Sequence, residues 1–169
     1  LITAGALCAV PLLMTELLAA ASNRPTIDFV SAGRGSLHPG NFLTLAFGDV
    51  FAAGGPTARF WGPPTPAWGR TDLYLAQNMG QLYLGTLPLV AIVALGLARG
   101  LLWARDIRFF TIAAAIAILY GLGWYTPAFR VFYEFLPGVT LYRRPADAAF
   151  LIGALLAILG GYLVHCWLA

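Results

Sequence analysis

The chain has 169 residues, only 10% of them charged, and a formal net charge of +3 at pH 7. Soluble domains carry about 25% charged residues, whereas this chain has a mean hydropathy of +0.78. A soluble helical domain of this size could not bury several long uncharged runs, so the composition predicts a membrane protein. The chain begins at Leu1 and ends within an apolar run at Ala169, so both ends are expected to be cuts through a longer protein.

Four apolar runs have the length of about 17 to 25 residues that a membrane-spanning helix needs. They are predicted at residues 1–21, 82–102, 109–125 and 148–169. Strands are disfavoured, because isolated strands leave backbone groups unpaired in lipid and the alternation of barrel strands is absent. The predicted fold is therefore all-α: a polytopic membrane helical bundle, with interfacial helices in its loops, forming a single fragment of a larger membrane domain. Small residues in the last run predict a face for close helix packing, namely Gly153, Ala154, Ala157, Gly160 and Gly161.

The long polar loop at 22–81 exceeds the length of ordinary connections, and its aromatic content argues against disorder. A short capped helix is predicted within 41–51, where apolar side chains recur at helical spacing. Prolines and glycines at 54–70 exclude a long helix or a central strand, so an ordered coil is expected there. Three aromatic side chains are expected to hold this coil in place: Phe60, Trp61 and Trp68.

A second polar stretch, 125–147, lies between two apolar runs, so its charges are expected at a membrane surface. Thr126 and Pro127 have the residue types of a helix N-cap and first helical position. The apolar residues that follow recur at helical spacing and are Phe129, Phe132, Tyr133 and Leu136. This pattern predicts a short interfacial helix that ends at Pro137 and Gly138.

Four segments of the chain carry a family resemblance: PLLMTELLAAASNR at 11–24, SLHPGNFLTLAFGDVF at 36–51, YLGTLP at 83–88 and GWYTPAFRVFYEFLPGVTLYRRPADAAFL at 123–151. The last segment is the most specific, because Tyr-Thr-Pro, Leu-Pro-Gly and Arg-Pro follow one another there at 125–127, 136–138 and 144–145. Together these segments resemble the bacterial YfhO family of integral membrane proteins, over nearly the whole chain.

YfhO-like proteins are regarded as glycosyltransferases of the GT-C type, which take a sugar from a polyprenyl-phosphate donor at the outer face of the membrane. The resemblance implies that this chain is part of such an enzyme in the bacterial cytoplasmic membrane, with both polar loops outside. It also implies a catalytic carboxylate upstream of Leu1, so no catalytic residue is assigned here. A count of basic residues alone would instead place the two loops in the cytoplasm. The expected partners are membrane lipids, the polyprenyl-phosphate sugar and the remaining spans of the parent chain, and no nucleic acid is expected.

Arg143 and Arg144 are the first choice for binding a lipid-linked phosphate, because a guanidinium group binds phosphate oxygens bidentately. The alternative is that both are interface anchors whose side chains reach lipid headgroups. Glu16 lies near the end of an apolar run and would either face the same site or pair with an arginine of another span. Arg130 is a further candidate, and an ion pair with Glu134 four residues later explains it equally well.

Other polar and aromatic residues of the long loop have two possible roles. His38 and Asp49 are expected to cap helices and turns, with contact to an acceptor or a metal as the alternative. Trp61, Trp68 and Tyr74 would either stack on sugar rings or anchor the loop at the membrane interface. No residues have the spacing of metal ligands, so no cofactor is predicted, and a divalent metal remains an open alternative. Two further functions stay open: a non-catalytic lipid-binding or transport protein, and a structural membrane protein.

Overall fold

A computed structural model describes residues 2–22, 27–69, 71–136, 139–141 and 144–169. The regular elements in these ranges are helices, with no strand among them, which confirms the all-α prediction. The α-helices are α1 (Ile2–Ala21), α2 (Phe29–Gly33), α3 (Thr86–Ala91), α4 (Arg108–Gly121), α5 (Ala128–Phe135) and α6 (Ala149–Leu168). A π-helical segment, Ile92–Leu97, continues α3. Short 3-10 helices lie in the connections: Pro39–Leu45, Thr57–Arg59, Pro66–Trp68, Leu101–Trp103, Gly123–Tyr125, Val139–Leu141 and Pro145–Ala148.

Within the described ranges, one helix is long and apolar enough to cross a membrane, and it comprises α6 with the 3-10 turn before it, Pro145–Leu168. Three other apolar helices are shorter: the part of α1 at Ala6–Ala21, α3 with its π-helical segment at Thr86–Leu97, and α4. The structure therefore contains helices in all four predicted apolar runs, but one helix with the length and composition of a membrane span.

Glycines explain why two of the predicted runs contain shorter helices than expected. Gly85 has a φ of 95° and precedes α3, so the helix begins at Thr86 and not at the start of the run at 82–102. At the end of the run 109–125, Gly123 has a φ of 52°, after α4 has ended at Gly121. Because a positive φ cannot continue a right-handed helix, each glycine shortens the helix beside it.

The helical core forms where α6 packs against both α3 and α4. One face of α6 supplies buried apolar side chains to this core: Ile152, Leu155, Leu156, Leu159 and Leu163. Gly160 lies on the same face, and a Cβ atom added to it would be 2.6 Å from Cβ of Pro88 in α3. Gly153 and Gly161 instead face open space. Of the small residues predicted to form a packing face, Gly160 makes a close contact with α3, whereas Gly153 and Gly161 take no part in it.

The long segment between α1 and α3 is packed against the helices. Leu37, Leu73, Leu75 and Leu82 belong to the same apolar core as α4 and α6. The buried Thr44 hydroxyl links two parts of this segment, because it accepts a hydrogen bond from the Leu82 N–H (2.9 Å) and donates one to the Asn41 carbonyl (2.6 Å). The helix predicted within 41–51 is observed as the 3-10 helix Pro39–Leu45.

The short helix α5 forms close to the predicted position. Its buried residue Phe129 contacts Phe29, with 5.6 Å between ring centroids, and the Tyr133 hydroxyl donates to the Ile27 carbonyl at 2.6 Å. The predicted capping role of Thr126 is not observed, because its hydroxyl donates backwards to the carbonyls of Leu119 and Gly123, at 3.3 Å each. The expected helix end at residues 137–138 lies outside the described residues.

Large apolar side chains cover much of the outer surface of the helices. Phe150 of α6 is 87% exposed, and Leu7, Val93 and Phe109 are also exposed on three other helices. None of the described side chains of α1 is buried. Many exposed large apolar side chains on the helices are typical of contacts with lipid or with further helices.

Candidate lipid-phosphate site

Both polar segments of the sequence meet at one end of the helices, where α4 ends and α6 begins. The Ser36 hydroxyl accepts a hydrogen bond from the Trp124 N–H (3.0 Å) and donates one to the Gly33 carbonyl (2.5 Å). The next residue, Leu37, donates its N–H to the carbonyl of Gly121 at 2.8 Å. Ser36 and Leu37 are fully buried. These bonds fix the segment 33–37 across the end of α4.

The same segment also fixes the start of α6. The Gly35 carbonyl accepts a hydrogen bond from the Ala146 N–H at 2.8 Å. A Cβ atom on Gly35 would overlap Cα of Arg144 and would lie 2.9 Å from the Arg144 backbone nitrogen. Because these are backbone atoms, no change of rotamer could relieve such a clash. Only glycine at position 35 permits this approach.

Arg144 is exposed and its backbone is unusual, with φ 112° and ψ 72°. A positive φ is rare for residues other than glycine, and the residue before a proline normally adopts an extended conformation. Backbone conformations of this kind cost about 1–3 kcal/mol and persist only where the surroundings impose them. The contact with Gly35 and the Ala146 hydrogen bond impose it here. Arg144, the predicted phosphate-binding residue, therefore has a strained backbone that is held in place by the segment around Gly35.

Arg34 lies directly before Gly35 and is held by Tyr74. Its Nη1 atom donates a hydrogen bond to the Tyr74 hydroxyl oxygen at 2.8 Å, and its Cζ atom lies 5.5 Å from the centroid of the Tyr74 ring. The Arg34 carbonyl accepts from the Tyr74 N–H at 3.0 Å. The hydrogen bond to the Tyr74 hydroxyl is the main cause that raises the pKa of Arg34 above its ordinary value, and the negative charges of Asp72 and Asp28 add smaller contributions. This arginine is a fixed cation.

The other residues predicted for the site lie apart from this junction. Arg130 forms the expected ion pair with Glu134, at 2.9 Å between Nε and Oε1, with side chains 75% and 50% exposed. Glu16 is exposed on α1. Among the described residues, no hydrogen bond or ion pair joins Glu16, Arg130 and Arg144 to one another. Arg143 lies outside the described residues.

The aromatic residues of the proline-rich coil form a compact cluster. The rings of Trp61 and Trp68 are stacked with 6.1 Å between centroids, and Phe51 meets both edge-on at 5.0 and 5.5 Å. The Trp68 indole N–H donates to the Trp61 carbonyl at 2.9 Å. Trp61 and Tyr74 are about half exposed. Of the three aromatic residues predicted to hold this coil in place, Trp61 and Trp68 belong to the cluster, and Phe51 is an additional member.

His38 and Asp49 have the capping roles predicted for them. The His38 Nδ1 atom accepts a hydrogen bond from the Gly40 N–H at 2.9 Å, and Asp49 Oδ1 accepts from the Gly54 N–H at 3.2 Å. His38 also meets the rings of Trp68 and Tyr125 edge-on, at 5.3 and 5.2 Å. Burial lowers the pKa of His38 below its ordinary value, which favours the neutral ring that this cap requires. The part of the chain that the structure describes contains no cluster of residues able to hold a metal ion.

Sequence reasoning missed Arg34 and the backbone contact through Gly35. The available signal was an arginine between two glycines at 33–35, a pattern that permits close backbone approach. That pattern does not reveal which segment approaches. The partner, Arg144, lies more than one hundred residues further along the chain.

In the residues that the structure describes, the fold and this junction define a class: an all-helical protein with one helix suited to cross a membrane and, at the start of that helix, an arginine whose backbone is held by Gly35. Comparisons of the chain with protein-family models, with curated proteins and with solved structures found no match. The resemblance to the YfhO family therefore rests on the sequence motifs alone.

Proposed function

We propose that this chain is part of a polytopic glycosyltransferase of the GT-C type in the bacterial cytoplasmic membrane. In this proposal the enzyme transfers a sugar from a polyprenyl-phosphate donor at the outer face of the membrane, and Arg144 binds the donor phosphate together with Arg143. The observation that carries the proposal is the strained Arg144 backbone at the start of the long apolar helix, held in place by Gly35. Strain of this kind is concentrated at functional sites.

The exposed apolar surface supports the membrane part of the proposal. The apolar segment Pro145–Leu168 has 24 residues and thus a length of about 36 Å, against about 30 Å for the hydrocarbon core. Thr86–Leu97 and Arg108–Gly121 are apolar but shorter. In the proposal, the turns that flank these two helices extend them across the rest of the bilayer. The backbone groups of these turns are then paired within the protein.

The chemistry that Arg144 would support is departure of a phosphate. In such a transfer the acceptor hydroxyl oxygen attacks the anomeric carbon, and the bond from that carbon to the phosphate oxygen breaks. The hydroxyl proton passes to a base, to which we assign no residue of this chain. Negative charge develops on the departing polyprenyl phosphate, and a planar guanidinium group beside it would stabilise that charge.

Binding of farnesyl phosphate, a short polyprenyl phosphate, tests the role of Arg144. We expect Arg144→Gln to weaken binding about tenfold, since hydrogen bonds to charged groups are about twice as strong as neutral ones. Arg144→Gly should also lose affinity, yet it should raise stability by about 1 kcal/mol because glycine tolerates the positive φ. Arg59→Gln is the matched control, because Arg59 is an exposed arginine of the proline-rich coil. Equal affinities of the Arg144→Gln and Arg59→Gln variants would contradict the proposal.

A second candidate function, a non-catalytic protein that binds or transports a lipid phosphate, is favoured by the state of the carboxylate of Asp28. Asp28 Oδ2 accepts a hydrogen bond from the Ser31 N–H at 3.0 Å and caps α2, and hydrogen bonds from Ser31 lower the pKa of Asp28. A carboxylate with a capping role and a lowered pKa is a poor general base. Tight binding of farnesyl phosphate without sugar transfer from polyprenyl-phosphate hexoses, measured on the full-length parent protein, would favour this second function.

A further inference from the structure

We infer that Arg34, oriented by Tyr74, is a second phosphate-binding residue of the Arg144 site. This inference rests on the proposed function and adds a residue that the sequence motifs do not assign. The ligand group is a phosphate, carried either by a polyprenyl lipid or by a soluble molecule.

Backbone geometry places the two arginines beside each other. Gly35 separates Arg34 from the point at which the loop touches Arg144, and consecutive Cα atoms are about 3.8 Å apart. A Cβ atom on Gly35 would overlap Cα of Arg144. Since a Cα–Cβ bond is about 1.5 Å long, the Cα atoms of Arg34 and Arg144 are within about 8 Å of each other. Two arginine side chains that start this close together can reach one phosphate group.

The Arg34 guanidinium group also has an unused donor. Its Nη1 atom is occupied by the Tyr74 hydroxyl at 2.8 Å. Its Nε atom is buried and, within the described residues, has no hydrogen-bond partner. A buried donor without a partner is unfavourable. Because Nε is enclosed in this conformation, in the proposal a small shift of the guanidinium group on ligand binding brings Nε to a phosphate oxygen. Because the Nε and Nη atoms of arginine form a planar fork, an oxygen at this edge would receive a charge-assisted hydrogen bond.

Tyr74 determines how the Arg34 fork is presented. The ring lies against the guanidinium group, with its centroid 5.5 Å from Cζ, while the hydroxyl oxygen accepts from Nη1. These two contacts restrict rotation of a long side chain, so less entropy is lost when a ligand binds. Negative charge from Asp72 and Asp28 partly offsets the charge of Arg34. Arg34 should therefore contribute less to affinity than Arg144.

Binding of farnesyl phosphate to the purified chain in detergent micelles tests the inference, with farnesol and inorganic phosphate as separate probes. We expect Arg34→Gln to weaken farnesyl phosphate binding about threefold to tenfold, and Arg34→Lys to recover part of that loss, because lysine keeps the charge but not the fork. Tyr74→Phe, which keeps the ring and removes the hydroxyl, should weaken binding about twofold to threefold. Farnesol binding should be the same in all variants, and Arg59→Gln should bind farnesyl phosphate as the unaltered chain does.

The outcomes distinguish failure of the inference about Arg34 from failure of the proposed function. Loss of binding in Arg144→Gln but not in Arg34→Gln would overturn this inference and leave the proposed function standing. Unchanged binding in both variants would overturn the two together. If Arg34→Gln does not fold, the Arg34→Lys variant decides, and wild-type affinity of that variant overturns the inference. If inorganic phosphate bound as tightly as farnesyl phosphate, with the same dependence on Arg34, the phosphate contact would be supported and the ligand would be a soluble anion.

Discussion

Two adjacent glycines in α6 provide a matched test of how the helices pack. A Cβ atom on Gly160 would lie 2.6 Å from Cβ and 3.2 Å from Cα of Pro88, whereas one on Gly161 would meet nothing within 4 Å. Ordinary carbon contacts are about 3.5–4.0 Å long, so Gly160→Ala must push α3 and α6 apart by about 1 Å. Such overpacking costs about 1–3 kcal/mol. The gain of about 0.5–1 kcal/mol from replacing a helical glycine with alanine applies to both positions and cancels in the comparison.

We therefore expect Gly160→Ala to be less stable than Gly161→Ala by about 1–3 kcal/mol, with Gly161→Ala slightly more stable than the unaltered chain. The assay is reversible unfolding in mixed micelles with increasing sodium dodecyl sulfate, followed by the far-ultraviolet circular dichroism of the helices. Equal free energies of unfolding for the two variants would refute the contact between α6 and α3. A larger loss of stability in Gly161→Ala would show that the opposite face of α6 carries the packing.

Three other predictions concern the loop and its junctions. Gly35→Ala should lower the free energy of unfolding by about 1–3 kcal/mol, because the added Cβ would overlap backbone atoms just before α6. Gly54→Ala is the control and should be neutral in the same micelle assay, because the atom nearest to its added Cβ would be 3.9 Å away. Removal of the exposed ion pair by Arg130→Gln should change stability by less than about 0.5 kcal/mol and leave farnesyl phosphate binding intact; a loss of binding would instead make Arg130 a site residue. Burial lowers the pKa of His38, so at mildly acidic pH the unfolded chain binds more protons than the folded chain. The contribution of neutral His38 to the free energy of unfolding is therefore fully present above the ordinary pKa of 6.5. It is lost as the pH falls through the lower pKa of the folded state. His38→Asn, which keeps an acceptor and cannot titrate, should flatten this fall in thermal melts, and an unchanged pH dependence would exclude His38 as its source.

Features that depend on local sequence were predictable. The ion pair between Arg130 and Glu134 follows from their spacing of four on a helix, and the start of α5 follows from Pro127. The uncharged runs identified the positions of the long helices. Their lengths were harder to predict, because whether Gly85 or Gly123 adopts a positive φ depends on what packs around the helix end. Glycine is tolerated inside membrane helices as well as at their ends, so its presence alone does not mark a boundary.

Features that depend on distant segments were not predictable from the residues alone. The pattern at 22–81 indicates an ordered loop, but it does not indicate that Leu37 is fully buried in the helical core or that Ser36 receives the Trp124 N–H. These contacts require knowledge of which chain segments meet. The same limit applies to Arg34, since it lies near Arg144 only because Gly35 packs against the Arg144 backbone.

The position of Arg144 is set by the loop as well as by its own helix. A residue before proline would by itself relax to an extended backbone, and the 3-10 turn at Pro145–Ala148 does not require a φ of 112°. The Gly35 carbonyl holds the Ala146 N–H, while Ser36 and Leu37 secure the same segment to the end of α4. Any change that loosens the loop from α4 should therefore release the strain at Arg144 and move its guanidinium group. Ser36 is fully buried and its side chain cannot touch a bound phosphate. Ser36→Ala should consequently weaken phosphate binding through the backbone, while its effect on α3 and α6 packing stays small.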